Sequence, residues 1–238
     1  MLLEMQQAVV TKITDETYNT KRFYLRVVGA EEFDFKPGQF ITLDLPIHEK
    51  KNKRLKSYSI ASAPVGTNEF ELIVVLLPGG LGTEFLFNQV SVGSTIDFRG
   101  PQGHFVIPDN IPNDLFFICT GTGIAPFRSM LHYIYSRNIP HQNLYLLFGV
   151  RSKKDLLYHA EMQQLSKDLK GFQYMPTLSR EEWNGLSGYV HDIYKLQSQN
   201  KPAAEFMLCG WRAMIDEARM NLTALGYKKH QIHFELYG

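Results

Sequence analysis

The chain has 238 residues, 44% of them hydrophobic, 13% aromatic and 21% charged, which excludes collagen-like, low-complexity and disordered classes. Lysine and arginine number 25 against 24 aspartates and glutamates, a net charge of +1, so no chain-wide field draws the protein to nucleic acid or an anionic membrane. Its two cysteines, Cys119 and Cys209, are too few for a disulfide framework, a four-cysteine zinc site or an iron–sulfur cluster.

The first residues, MLLEMQQAVVTKI, carry Glu4 and lack both a basic n-region and a small-residue cleavage site, unlike a secretory signal. No stretch approaches the ~20 apolar residues of a membrane span, so a cytoplasmic protein is expected. Up to about Pro108, short β-branched and aromatic runs at 8–13, 22–28, 40–45, 57–62, 70–77 and 95–98 alternate with turn residues such as Pro37-Gly38, Pro78-Gly79-Gly80 and Gly100-Pro101. That rhythm predicts an antiparallel barrel or sandwich, with one short helix over 83–88. After Pro108 the pattern becomes strand–helix–strand. Strands are predicted at 115–119, 144–150, 172–178, 206–209 and 232–236, with helices after residue 124 and at 156–169, 189–196 and 212–225. Five strands with four intervening helices describe a doubly wound parallel sheet. The expected division is 1–108 and 109–238, with a short proline-containing boundary at 109–113 and no internal repeat.

Three short motifs carry the chemistry. Cys119-Thr120-Gly121-Thr122-Gly123-Ile124-Ala125-Pro126 ends a buried strand and opens a helix, where free amides suit a pyrophosphate and Pro126 costs no hydrogen bond. A glycine-rich connection without a ligand would read the same way. In Lys56-Ser57-Tyr58-Ser59-Ile60-Ala61-Ser62, Tyr58 can present a flat ring and Ser59 a hydroxyl, although a Tyr-Ser pair is also ordinary half-buried sheet. Gly80-Leu81-Gly82-Thr83 offers a second anion cradle or a plain hairpin loop.

Together with Pro37-Gly38-Gln39-Phe40, Gly100-Pro101-Gln102-Gly103, Cys209-Gly210 and the terminal Glu235-Leu236-Tyr237-Gly238, these motifs resemble, in order and spacing, the ferredoxin–NADP reductase family of flavoenzymes over essentially the whole chain. The resemblance implies a two-domain protein, β followed by α/β. An N-terminal antiparallel six-stranded flavin-binding β-barrel (1–108) precedes a C-terminal doubly wound parallel-sheet nucleotide-binding domain (109–238). It implies FAD as cofactor, with Tyr58 packed on the isoalloxazine, Ser59 near flavin N5 and Ile60 beside it. Gly80, Leu81, Gly82 and Thr83 would then hold the pyrophosphate. Lys56 stands where the family usually has arginine; it keeps the charge but loses the planar fork, and Arg54 is the candidate to compensate.

For the second domain, the resemblance implies that Thr122, Gly123, Pro126 and Gly210 receive the nucleotide, that Cys209 lies beside the nicotinamide, and that Glu235 and Tyr237 complete the catalytic set with Ser59. Ser179, Arg180 and Arg151 match groups that bind a 2′-phosphate, and Tyr189 is placed to stack on adenine. NADPH is therefore favoured, with NADH as the alternative. The activity implied is electron transfer between NADP(H) and a one-electron carrier through hydride transfer at flavin N5. The partner is a separate acidic protein, ferredoxin or flavodoxin; neither nucleic acid nor a membrane span is involved, and the enzyme is expected to be a monomer or weak dimer. The basic run Lys50, Lys51, Lys53, Arg54 and Lys56 is either a solvated loop or the docking patch for that carrier. The alternatives are a reductase component of an oxygenase, a free-flavin reductase, and a nucleotide-binding regulatory subunit that keeps the fold without turnover. No metal site is expected: His159-Ala160-Glu161 lacks the cysteines of a zinc deaminase.

Overall fold

The two rhythms of the chain separate into two units in a computed structural model, which describes residues 4–237. The first unit takes in the chain up to Ile107 together with Arg128–Tyr133, and the second takes in Pro108–Phe127 and the chain from Ile134 onward.

In the first unit, alternation of apolar and polar side chains gives strands with one buried face. The strands are β1 (Gln6–Thr17), β2 (Thr20–Val27), β3 (Phe40–Asp44), β4 (Leu55–Ser59), β5 (Glu69–Val75) and β6 (Thr95–Gln102). They form one sheet of order β4-β3-β6-β1-β2-β5 in which every neighbouring pair is antiparallel. Just beyond β4, the Ala61 N–H donates to the Glu71 carbonyl of β5 at 2.8 Å, linking the two edge strands as a sheet closing on itself requires. Inward residues Phe23, Leu25, Ile41, Leu43, Phe70, Leu72 and Phe98 make the core, with the Phe33, Phe70 and Phe98 rings 5.0–5.7 Å apart. β1 runs beyond its expected end through two bulges, between Val10 and Lys12 and between Asp15 and Thr17. Two helices complete the unit. The four-residue α1 (Lys51–Arg54), where only a basic run was expected, buries nothing, whereas α2 (Leu81–Asn88) buries Gly82 and Leu86.

The rest of the chain alternates as expected: β7 (Asp114–Thr120), α3 (Ile124–Arg137, of which residues 128–133 group with the first unit), β8 (Leu144–Val150), α4 (His159–Asp168), β9 (Phe172–Leu178), β10 (Leu186–Ser187), α5 (Val190–Gln197), β11 (Ala204–Trp211), α6 (Arg212–Ala224) and β12 (Ile232–Tyr237). All strands are parallel, in the order β10-β9-β8-β7-β11-β12. The sheet has six strands, not five, because β10 is two exposed residues with no apolar run to announce it. α4 starts at His159, three residues later than expected, because Tyr158 sits in the left-handed region at φ 53, where a helix cannot propagate. β7 is buried from Leu115 to Cys119, as a strand covered on both faces should be. Strand order advances from β7 to β8 on one side and jumps to β11 on the other. The carboxyl ends of β7 and β11 are therefore the crevice where ligands bind in open α/β sheets. Among the described residues, no helix is long and apolar enough to cross a membrane.

Phe98 is fully buried in this core, with the Phe33 and Phe70 rings each 5.7 Å away. Phe98→Ala should lower stability by about 3–5 kcal/mol, while Val28→Ala, at 53% exposure, should change it by less than about 0.5 kcal/mol. Urea unfolding midpoints check both.

Candidate functional site

Across the β3–β4 pair, Ile41 faces Tyr58 and Leu43 faces Lys56, so these two β4 side chains share a face with core residues. On the opposite face, the Thr42 and Ser57 hydroxyls meet at 3.0 Å. Tyr58 packs against the core cluster, and burial pushes its phenol up to about 12, which keeps the ring neutral. Ser59, at 5% exposure, ends the strand, and Ile60 is fully buried. Ile60 donates its N–H to the Gln39 carbonyl at 3.0 Å.

The start of α2 carries groups that suit an anion. Its first amides, at Leu81, Gly82 and Thr83, have no acceptor within the helix, and the helix dipole adds partial positive charge there. A Cβ at Gly82 would lie 3.0 Å from Lys56 Cγ, so the glycine lets the lysine stem cross the helix start and bring an ammonium to the same end. These residues fit the pyrophosphate of a dinucleotide flavin. Two details refine the expectation. The Thr83 hydroxyl closes its own loop, accepting from Leu77 N–H at 3.1 Å and facing the Gly80 carbonyl at 3.1 Å, so the amides and Lys56 make the cradle. Arg54 is drawn instead to Asp44, Nε to Oδ1 2.7 Å, an ion pair that occupies the group expected to compensate for Lys56.

In the second unit, Gly121 turns the chain at φ +54 after β7, and a single 3₁₀ turn, Gly121–Gly123, leads into α3. A Cβ at Gly123 would stand 2.4 Å from the Cys209 carbonyl oxygen, so only glycine lets this loop lie against β11. Thr122 is half-buried in the turn, and Pro126, the third residue of α3, is buried in the first turn, where a missing N–H costs no helical hydrogen bond. Thr120, to which the sequence reading gave no role, ends β7 with a buried hydroxyl that has no partner among the described residues. A Cβ at Gly210 would reach within 2.6 Å of that hydroxyl. An orphaned hydroxyl beside a bare glycine at the switch point fits a polar ligand such as a nicotinamide nucleotide. The only sequence signal for it was a threonine between a buried strand and a Gly-x-Gly turn.

Cys209, Glu235 and Tyr237 come together on adjacent strands: Cys209 pairs with Glu235, and Trp211 with Tyr237. Burial first, then the nearby Glu235 carboxylate and Cys119, holds the Cys209 thiol well above its ordinary value, and a hydrogen bond with Tyr237 opposes this. Burial thus disfavours the thiolate at Cys209. Glu235 and Tyr237 are seated in the sheet, not frayed; Gly238 lies outside the described residues.

Ser179 N–H donates to the Val150 carbonyl at 3.0 Å and Arg180 N–H to the Arg151 carbonyl at 2.9 Å, binding the carboxyl ends of β8 and β9 together. Both arginines are exposed. Tyr189, 65% exposed, caps α5. It follows Gly188, whose N–H donates to the Leu178 carbonyl at 2.9 Å and whose carbonyl accepts from Thr177 Oγ1 at 3.0 Å. The structure thus groups Lys56 with Gly82, Cys209 with Glu235 and Tyr237, and Arg151 with Ser179 and Arg180.

Residues 7–107 match the family model described as Oxidoreductase FAD-binding domain, and residues 117–220 the one described as Oxidoreductase NAD-binding domain. The class is therefore a flavin- and pyridine-nucleotide-binding oxidoreductase. Ferredoxin–NADP reductase B of Sorangium cellulosum is 34% identical over 217 residues, 87% of each chain. The anthranilate 1,2-dioxygenase electron transfer component of Acinetobacter baylyi is 30% identical over 193 residues, 80% of this chain but 54% of that one. The crystal structure of a ferredoxin–NADP⁺ reductase from Neisseria gonorrhoeae with bound FAD and NADP matches 98% of both chains with a TM-score of 0.82 and 26% identity. The chain belongs to the ferredoxin–NADP reductase-like superfamily of flavin reductases.

Both thiols are fully buried and held above their ordinary value. At about pH 8, where an exposed thiol ionises appreciably, iodoacetamide should leave the native protein unmodified and label both cysteines after unfolding in guanidinium. Intact mass counts the labels.

Proposed function

We propose that this protein moves electrons between NADP(H) and a one-electron carrier protein, ferredoxin or flavodoxin. On this reading, 1–108 is its FAD-binding domain and 109–238 its nucleotide-binding domain. The observation that carries the choice of nucleotide is the pair of arginines at the ends of β8 and β9. Arg151 and Arg180 are joined through their backbones at 2.9 Å, and neither guanidinium has an acidic partner among the described residues. Two unpaired forks on one edge suit a dianionic phosphate ester, which NADPH carries on its ribose and NADH lacks. The 34% identity to the Sorangium reductase over most of both chains supports the same reading.

Bound FAD supplies a hydride acceptor that releases electrons singly, chemistry the polypeptide itself lacks. The chain's own residues bind and orient. Tyr58 offers a neutral ring face, Ser59 a hydroxyl, Ile60 an apolar edge, and Lys56 with the amides of Leu81, Gly82 and Thr83 the charge and donors for a pyrophosphate. Thr122, Gly123, Pro126 and Gly210 form the nucleotide turn, Ser179 and Tyr189 flank its 2′-phosphate end, and Thr120 gives the donor that the strand end otherwise lacks. Cys209 excludes water from the nicotinamide side, while Glu235 and Tyr237 orient the ring and hold a proton next to it. A second reading, the reductase component of an oxygenase, is favoured by the 30% identity to the Acinetobacter component; with only two cysteines the chain would need a cluster held elsewhere.

The test is to identify the released flavin and compare NADPH with NADH as reductants. Arg180→Ala should lower kcat/KM for NADPH by about 10–100-fold, as loss of a charged hydrogen bond does, and leave NADH within about threefold. A wild-type preference for NADH of tenfold or more would overturn the assignment. The exposed Lys50, Lys51 and Lys53 around α1 support an acidic partner steered by charge. Raising salt from about 0.05 to 0.5 M should slow reduction of ferredoxin or flavodoxin several-fold, because the Debye length shrinks, while reduction of a small neutral dye stays constant.

A further inference from the structure

β5 is an apolar run, Phe70, Leu72, Ile73 and Val74 all being buried, yet Glu71 in its middle is only 3% exposed. A carboxylate buried in such a strand is costly unless it is paired and hydrogen-bonded. Arg22 answers it with both prongs, Nε to Oε1 at 2.7 Å and Nη2 to Oε2 at 2.9 Å. That fork already neutralises the charge, but a second guanidinium is present: Arg128 Nη1 lies 3.3 Å from Glu71 Oε2. The shorter bond of Arg128 goes elsewhere, Nη1 donating to the Ala61 carbonyl at 2.7 Å.

Ala61 belongs to the three residues that follow Ser59 and have left the sheet. Their backbone groups are satisfied from outside. Ile60 N–H goes to Gln39 and Ala61 N–H to the Glu71 carbonyl, while the Ser62 carbonyl accepts from Ser129 Oγ at 2.6 Å. Ser62 Oγ accepts from Glu71 N–H at 3.0 Å. Ile60 and Ala61 are fully buried, so a lost donor there is not replaced by water. Glu71 thus serves this segment three times: through its N–H, through its carbonyl, and through the carboxylate that steers Arg128.

We propose that Arg128, oriented by Glu71, is a positioning residue for the flavin-facing end of β4: by holding the Ala61 carbonyl it sets the orientation in which Ser59 meets the flavin. The inference rests on the flavin reading above. Because the Ala61 and Glu71 contacts both come from Nη1, one ammonium can replace them, whereas an uncharged amide cannot.

The experiment uses the FAD-loaded protein and measures the FAD dissociation constant by fluorescence quenching and the visible circular dichroism of the bound flavin. The variants are Arg128→Gln, Arg128→Lys, Ser59→Ala and the Ser59→Ala/Arg128→Gln pair. Arg128→Gln should weaken FAD about tenfold, as loss of a charged hydrogen bond does, and alter the dichroism, while Arg128→Lys stays within about threefold of the parent. In the Ser59→Ala background the same change should fall below about threefold, because two residues acting through one contact are not additive. Unchanged affinity and dichroism in Arg128→Gln, or an effect of equal size with and without Ser59, would overturn the proposal. If Arg128→Gln does not fold, Glu71→Gln, which keeps the size of the side chain, decides by the same comparison. A wild-type protein that binds no FAD would instead sink the flavin reading itself.

Discussion

The nucleotide edge of the second unit depends on one steric fact: the chain leaving β7 passes so close to β11 that a single extra carbon at position 123 would sit 2.4 Å from the Cys209 oxygen. From that approach the rest follows. The turn must be glycine, and α3 begins at once at Ile124, its first amides without acceptors within the helix. The approach also brings the Thr120 hydroxyl beside Gly210 with nothing in the protein to bond to. At this point the packing of loop on strand and the opening left for a ligand come from the same bare position.

Charge is handled in two ways, and the contrast separates scaffold from site. Where the protein needs rigidity, ions are paired under cover: Glu71 with Arg22 at 2.7 Å and Asp44 with Arg54 at 2.7 Å, each acid less than 10% exposed. Breaking such a pair costs far more than forming it yields, because one buried charge is left without its partner. At the ends of β8 and β9, Arg151 and Arg180 stay in solvent. The buried thiols of Cys119 and Cys209 avoid charge altogether, burial holding both well above their ordinary value.

Much of this architecture was legible because its strands are bounded by residues that cannot continue them. β8 and β9 match the expected 144–150 and 172–178 residue for residue, β8 as a mostly apolar run and β9 with aromatic and apolar residues around Gln173 and Thr177, each bounded by polar or glycine neighbours. The misreadings have local causes. β4 stops at Ser59, not at 62, because the next residues leave the β3 ladder, Ile60 N–H going to Gln39 and Ala61 N–H to Glu71 of β5. β1 outruns its alternation through bulges, which reset which side faces inward. The motif residues were legible one by one, but their partners were not. Neither the orphaned Thr120 hydroxyl nor the link from Arg128 to Ala61 can be inferred from residues 67 positions apart in the chain. The one hint was chemical: a lone glutamate inside the buried run Phe70-Glu71-Leu72-Ile73.

Two idle guanidiniums at a sheet edge do not choose their anion. On the proposed reading, in which Arg151 and Arg180 hold a phosphate ester, inorganic phosphate, sulfate or citrate from the buffer would compete with the nucleotide. Apparent affinity would then depend on the identity of the buffer anion as well as on ionic strength, and a zwitterionic medium would leave the edge open to its own ligand.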